Sequence, residues 1–392
     1  MTASLPSRQP LLAALIQICG PDFVRNARSI DMVAGRRPSL VAGPATADAV
    51  AGVLRLVADR GLAVMPRGSG SKIDWGTPPP GVDLIVDTGR LDGMWNHRPD
   101  ELIAEVGAGT PVEALQSALA LRGQRLAVDP PSRGATIGGM LAVNEAGPLR
   151  HRFGSPAEQV DRISYVDATG AVAESDGEGG RPGIADVDGV ITSASLRLQP
   201  LPEARRWVTV AVSTPLQVYN IVEETLAQDG LEPSGIEVDL PTTSVGRTTE
   251  RPPGTLAVLF EGTPSGATER GQHLAENIGD HAVVSTTAPS WWGRYPFGSS
   301  DIALRISVAI EDLHAAVYAL SDAAGRQVPI RGSAGIGTVH AVLPGTLPPE
   351  RVEAILDTVR NVLLARSGRA VIVAAPPEIA RYVDMAGRRD LF

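Results

Sequence analysis

Pro66-Arg67-Gly68-Ser69-Gly70-Ser71-Lys72 is the stretch on which the reading of this 392-residue chain turns. Its two glycines permit unusual φ and close backbone approach, so that successive amides can point at an anion. Arg67 and Lys72 add positive charge, and Ser69 and Ser71 add hydroxyl donors. A solvated Gly/Ser turn uses the same composition. A Walker loop does not fit, because Ser71 separates the lysine from the second glycine. Just upstream, Leu62 to Met65 reads as a strand. Before it, Thr46 can cap a helix whose Val50, Val53, Leu54 and Val57 fall on one face until Gly61 ends it.

Working outward, strands are expected at Leu84–Val86 and Leu102–Val106. Thr110-Pro111-Val112-Glu113 then predicts a helix start with a capping threonine, a first-position proline and a reciprocal glutamate, stopped at Gly123. Ile163–Val166 and Ala171–Ala173 form a hairpin around Thr169-Gly170, and Ile191–Leu198 alternates as a strand. Pro200-Leu201-Pro202 marks a domain boundary. Beyond it the pattern predicts strand Trp207–Val212, helix 215–227, strands 235–238 and 255–260, and helix 266–278. A second round follows, with strand Ile302–Ile310, helix 312–323, strand Thr338–Leu343, helix 349–365 and strand Ala370–Val373. The expected organisation is a helical segment over 1–36, an α/β domain over 37–202, and an α+β domain with an antiparallel sheet over 203–392, the whole being α+β.

Two further glycine segments bear on chemistry. Gly107-Ala108-Gly109-Thr110-Pro111-Val112 follows a strand and opens a helix, but Val112 occupies the third position of a dinucleotide fingerprint, so it reads as a structural turn. Ala135-Thr136-Ile137-Gly138-Gly139-Met140 follows Asp129-Pro130-Pro131-Ser132. It precedes Asn144, Gly147 and the basic run Arg150-His151-Arg152-Phe153-Gly154. Paired glycines at a helix start let main-chain amides face a ligand, and the basic run favours an anion.

Taken together, Pro66 to Ser71, then Pro131 with Thr136-Ile137-Gly138-Gly139 ~60 residues later, then Arg152-Phe153-Gly154, resemble the FAD-binding (PCMH-type) domain of the vanillyl-alcohol-oxidase/p-cresol-methylhydroxylase superfamily. The similarity is strongest to the smaller FAD-binding subunit of glycolate oxidase, and it covers residues 38–202 well and the rest in outline. The resemblance implies a two-part FAD domain followed by a cap domain. It places Pro66, Arg67, Gly68, Ser69, Gly70 and Ser71 at the FAD pyrophosphate. It places Pro131, Thr136, Ile137, Gly138 and Gly139 at the ribityl chain and isoalloxazine, with Asn144, Gly147 and Ile191 nearby. Ser71 stands where covalent members carry histidine, which implies non-covalent FAD. The implied substrate is a small 2-hydroxy acid of the glycolate or D-lactate type. The implied partners are a homologous flavoprotein subunit and an iron–sulfur subunit.

The chain also departs from that pattern. Relatives have a longer segment before the strand matching Val190-Ile191-Thr192; here it is shortened to Asp176–Gly189, and Asp186-Val187 replaces a Gly-Thr that lies against the cofactor. Carboxylates at Asp186 and Asp188 either face solvent or oppose a diphosphate. Gly335-Ile336-Gly337-Thr338-Val339-His340 is similar to a Gly-Asp-Gly-Asn-Leu-His strand, with Ile336 for the aspartate and Ser333 for an upstream histidine. His340 is therefore either a satisfied sheet histidine or a base, and Arg294, Arg305 and Arg331 are candidates for a substrate carboxylate. The chain stops at Leu391-Phe392 without the closing segment of relatives. These departures define an alternative, a cofactor-free, catalytically degenerate scaffold subunit.

Composition excludes other classes. With 44 acidic and 35 basic residues the net charge is −9, which repels nucleic acid. The single Cys19 can neither form an internal disulfide nor hold an iron–sulfur cluster, and it fits a reducing compartment. The apolar run Leu11–Ile18 has only Arg8 before it and Gln17 inside it, unlike a signal peptide, so a cytoplasmic protein is expected, peripheral to a membrane at most through partners. No stretch reaches the ~20 apolar residues of a spanning helix. The six histidines are scattered without ligand spacing, so no metal is expected. There is no nucleophile elbow. Trp291-Trp292, with Arg294 and Tyr295, suits a pocket wall, a partner surface or a packed loop.

Overall fold

The structure is a computed structural model that describes residues 8–175, 187–241, 254–279 and 281–387. These residues divide into two compact units. One takes the chain up to Asp74, Pro79–Ala146 and Gly154–Leu201; the other takes Trp75–Pro78, Gly147–Phe153 and the chain from Pro202. The expectations placed on Asp176 to Asp186, on most of the polar stretch 241–254 and on the C-terminal Leu391-Phe392 lie outside the described residues.

In the first unit, helix α1 (Arg8–Cys19) buries Leu11, Leu15 and Cys19 at a spacing of four residues. These pack with Val50, Leu54 and Val57 of α2 (Ala47–Ala58). Thr46 caps α2 as its sequence predicts, its hydroxyl accepting from the Ala49 amide at 3.1 Å. Burial pushes the Cys19 thiol pKa up, so it is inert packing. Strands β1 (Val24–Asn26), β2 (Leu40–Ala42), β3 (Val64–Arg67) and β4 (Leu84–Asp87) form a sheet in the order β1-β2-β4-β3, parallel except at β1. Buried β4 lies inside it, and β3 is an edge strand, which is why Pro66 is tolerated.

A second, antiparallel sheet takes β5 (Met94–Arg98), β6 (Ile103–Gly107), β8 (Val160–Asp167), β9 (Val172–Ser175) and β10 (Gly189–Arg197), in the order β5-β6-β10-β8-β9. The short ribbon of β7 (Gln124–Arg125) and β11 (Gln199–Pro200) lies apart. The hairpin β8–β9 turns on Gly170, at φ 81, and on Asp167, whose carboxylate accepts from the Thr169 and Ala171 amides. Helices α3 (Val112–Ala120) and α4 (Ile137–Val143) complete the unit. One local expectation is overturned at α3. Pro111, not Thr110, is the cap residue and offers no side-chain bond, because the Thr110 hydroxyl instead accepts from the Gly93 amide at 2.9 Å.

In the second unit, α5 (Arg150–Phe153) precedes a duplicated β-α-β-β-α-β arrangement. The first copy is β12 (Ala204–Val212), α6 (Pro215–Leu226), β13 (Gly235–Leu240), β14 (Gly254–Gly262), α7 (Pro264–Ile278) and β15 (Ala282–Ser285). The second is β16 (Asp301–Ser307), α8 (Leu313–Ala324), β17 (Ile330–Ser333), β18 (Thr338–Pro344), α9 (Pro349–Leu364) and β19 (Arg369–Ala374), with α10 (Pro377–Ala380) after it. The sheet order β15-β12-β14-β13-β17-β18-β16-β19 sets the two copies side by side, with β13 and β17 meeting at the centre. All pairings are antiparallel, as the sequence predicts.

Alternate strand residues pack with the apolar faces of α6 to α9 in one core, among them Val208, Val210, Val258, Phe260, Ile302, Leu304 and Ile306. The opposite face is left to other work. Phe260 is the largest fully buried side chain among the described residues. Phe260→Ala is expected to lower stability by about 3–5 kcal/mol, read as a lower guanidinium midpoint with an unchanged slope.

Candidate functional site

The two separated glycine turns of the first unit meet. A Cβ built on Gly68 would lie 2.1 Å from Thr136 Oγ1, so a side chain at position 68 has no room. Thr136 caps α4, accepting from the Gly139 amide at 3.2 Å. Gly138 donates to the Ala108 carbonyl at 2.7 Å, and its own Cβ would lie 2.8 Å from that of Ala108. The 107–109 segment is therefore a backbone platform. It packs in turn on 88–91, where side chains at Gly107 or Gly109 would strike the Leu91 or Thr88 carbonyl at 2.3 and 2.1 Å. The loops converge because glycines let their backbones touch.

The donors of the two turns are used differently. Ile137 N–H donates to Thr110 O, Gly138 N–H to Ala108 O and Gly139 N–H to Thr136 Oγ1, so the start of α4 commits its amides within the fold. The amides from Gly68 to Ser71 have no acceptor among the described residues. Gly70 sits at φ 78, and Ser69 and Ser71 are exposed. This run is what an anion requires: consecutive open amides with hydroxyls beside them.

The two flanking cations are not free. The Arg67 guanidinium bonds to Asp31 and Asp87, at 2.7 Å each. Asp31 is wholly buried, and its pKa is held far below the ordinary carboxylate value, first by the Arg25 guanidinium and then by the Arg28 amide and Arg67. Lys72 is ion-paired with buried Glu145 and donates to Ser132 Oγ at 2.8 Å. The cradle is consequently built of neutral donors. Asp31, Asp87, Ser132 and Glu145 carry no motif of their own; only their meeting in space marks them.

The remaining residues named from the sequence take up varied positions. Pro66 is exposed on β3, and Pro131 is half-buried beside Ser132. Asn144 ends α4 at φ 49, its side chain accepting from the Ala157 amide at 3.0 Å. Ile191 is core, packed with Ile137, Met140 and Leu141. Gly147 lies in the excursion belonging to the second unit. Of the acidic segment, Asp186 lies outside the described residues and Asp188 is exposed.

On the helix-free face of the second unit, strand register lines up Arg305, His340, Arg331 and Asp239 on β16, β18, β17 and β13. Three of the four catalytic candidates are therefore side by side. Arg331 is already engaged, with Nε donating to Asp239 at 2.8 Å and Nη1 to the Tyr295 carbonyl at 3.3 Å. Arg305 is exposed, and its guanidinium makes no hydrogen bond or ion pair among the described residues. Arg294 is exposed on the covering loop. His340 packs edge-on against Tyr295, centroids 5.0 Å apart, and beside Phe297, which with Trp75 completes an aromatic wall. Burial first, and then the Arg305 charge, pull the His340 pKa down to about 4. No group of metal-ligating side chains occurs among the described residues.

A mixed sheet and an antiparallel sheet joined through glycine turns, followed by a large antiparallel sheet, make up a fold shared with solved structures. Residues 38–176 match the FAD binding domain family. Substrate-bound p-cresol methylhydroxylase superposes with a TM-score of 0.71 at 15% identity, covering 95% of this chain and 90% of that one. An alkyldihydroxyacetonephosphate synthase gives 0.70 at 14%, covering 94% and 83%. The chain is 34% identical over 152 residues to the glycolate oxidase subunit GlcE of Escherichia coli (35% of this chain, 43% of that protein). It is 22% identical over 298 residues to a D-lactate dehydrogenase of Archaeoglobus fulgidus (70% and 66%). The match thus spans less than two thirds of the length of these two relatives. No helix among the described residues is long and apolar enough to cross a membrane.

Gly68→Ala is expected to destabilise the fold by about 1–3 kcal/mol through its clash with Thr136, measured by urea unfolding. His340 should titrate near pH 4 by ring-proton NMR, because the folded state disfavours its cation. Its folded pKa lies below the unfolded value of about 6.5, so its contribution to stability is present above that pH and is lost as pH falls toward 4. His340→Gln should flatten that part of the stability profile.

Proposed function

We propose that the chain is an FAD-dependent oxidoreductase, or a subunit of one, that oxidises a small 2-hydroxy acid of the glycolate or D-lactate type. The observation that carries this reading is the convergence of the Gly68 and Thr136 turns, with the amides of 68–71 left open. Those amides, with the Ser69 and Ser71 hydroxyls, fit the diphosphate of FAD, and Pro131, Thr136, Gly138, Gly139 and Ile191 form or support the wall beside them. FAD supplies the redox chemistry when bound, by accepting a hydride equivalent from the α-carbon. Ser71 offers no covalent attachment of the histidine kind, so the cofactor is held non-covalently.

On the second unit, Arg305 is the residue for the substrate carboxylate, because its guanidinium is unengaged, whereas Arg331 is committed to Asp239 and the covering loop. His340 stays neutral near pH 7, so a ring nitrogen can take the hydroxyl proton. Its neighbour Arg305 keeps the anionic substrate close while disfavouring an idle imidazolium. Two relatives are subunits of glycolate oxidase, GlcE and the GlcD of Bacillus subtilis, which supports assembly with a homologous flavoprotein. An iron–sulfur subunit belongs to the same proposal, since Cys19 alone cannot bind a cluster. The place of action is cytoplasmic, with any membrane association through such partners.

A second reading, a cofactor-free scaffold subunit, is favoured by the internal neutralisation of Arg67 and Lys72. Purified protein separates the two. The first expects oxidised-flavin absorbance, or uptake of added FAD followed by fluorescence quenching, with loss of binding in Gly70→Glu. Colourless protein that takes up no FAD overturns it. If FAD binds, Arg305→Met should raise KM for the hydroxy acid by about 10–100-fold, the worth of one charge-assisted bond. Arg331→Met should instead lower thermal stability.

A further inference from the structure

We propose that Lys72 and Glu145 form a buried clasp that positions the glycine turn for the FAD diphosphate, an inference that rests on the FAD reading above. The turn from Gly68 to Lys72 is fastened at both ends to the two ends of one helix. At its start, Gly68 abuts Thr136, the cap of α4. At its finish, Lys72 meets Glu145, which follows directly on the left-handed Asn144 that ends α4. The Glu145 amide donates to Met140 O at 3.0 Å, so the helix terminus itself sets where the carboxylate stands. That carboxylate receives the Lys72 ammonium on one oxygen and the Ser132 amide on the other, the latter at 3.1 Å. Lys72 also donates to Ser132 Oγ at 2.8 Å, which draws in the loop that carries Pro131.

The pair is almost inaccessible, with side-chain exposures of 6% for Lys72 and 2% for Glu145. Apolar residues of similar volume would hold two segments together as well or better, because burying two charges carries a desolvation penalty that their attraction only partly recovers. What the ion pair adds is direction. Its hydrogen-bond geometry admits one register of the turn against the 132–145 segment, and the open amides of Ser69 to Ser71 lie between the two fastenings. Burial pulls the Lys72 pKa down while Glu145 resists, and the charge is neutralised inside the fold. The lysine is therefore a positioning residue, and the diphosphate is left to neutral amides and hydroxyls.

The test uses the full chain and FAD. Replacing the pair by apolar residues, Lys72→Met with Glu145→Leu, should leave the melting temperature without FAD within about 3 °C of the parent while weakening FAD binding by about ten-fold or more. Binding by the parent should change by less than about two-fold between low and high salt, because the cations flanking the turn are already paired within the fold. FAD affinity within about two-fold of the parent in the double variant overturns the clasp, as does a steep salt dependence, which would put the lysine charge on the phosphate. If the double variant does not fold, Glu145→Gln is judged by the same affinity criterion. A parent chain that binds no FAD overturns the cofactor reading itself, an outcome distinct from a variant that binds as the parent does.

Discussion

The contact between Gly68 and Thr136 is the constraint on which the first unit depends. One absent carbon lets an edge strand's turn lie against a helix cap, and a hydroxyl stands where a side chain would have been. Thr136 is already committed as the cap of α4, so it cannot yield to a larger neighbour. The same omission of side chains repeats one layer below, where Gly138 rests on Ala108, and Gly107 and Gly109 rest on the 88–91 turn. Backbone meets backbone at each step. The amides of 68–71 stay open because the side chains that flank them, Arg67 and Lys72, have found their partners elsewhere in the protein.

Charge is distributed to the same end. Arg67 holds two carboxylates and Lys72 a third, so the basic appearance of the loop contributes order rather than potential. Asp31 stands at the hub of this network, wholly buried and bound by Arg25, Arg67 and the Arg28 amide. An arrangement of this kind suits a ligand whose own charge is met by dipoles, which are fixed by the fold and need no reorganisation. Arg305 is the contrast, since its guanidinium makes no hydrogen bond or ion pair among the described residues.

The second unit reaches its face by duplication. Two β-α-β-β-α-β copies put all four long helices on one side of the sheet, so the other side is free to collect polar residues. Where the copies join, β13 brings Asp239 beside Arg331 of β17, and His340 and Arg305 continue the row on the next two strands. The ion pair at the seam ties the covering loop down through the Tyr295 carbonyl, and the aromatic wall follows from that tie.

Periodicity and punctuation in the sequence are enough for the α2, α6, α7, α8 and α9 helices, the β8–β9 hairpin and the antiparallel character of the cap sheet. Each depends on residues close together in the chain, such as Thr46 with Ala49 in the cap of α2. The two glycine loops are legible as close-packing turns for the same reason, since permissive backbone is a local property. Strand β17 and the edge strand β15 leave no such mark, because short runs carry too little alternation to stand out alone. The apparent capping box at Thr110 misleads, since a hydroxyl bonds to whatever amide the fold brings nearest, and that amide is Gly93. By itself the sequence determined where the longer helices, the hairpin and the permissive turns would fall. Only the tertiary structure decided which charges remained available, because whether Arg67, Lys72, Arg305 or Arg331 is free depends on carboxylates and carbonyls far away in the chain, and no local pattern records which of them will be its neighbour.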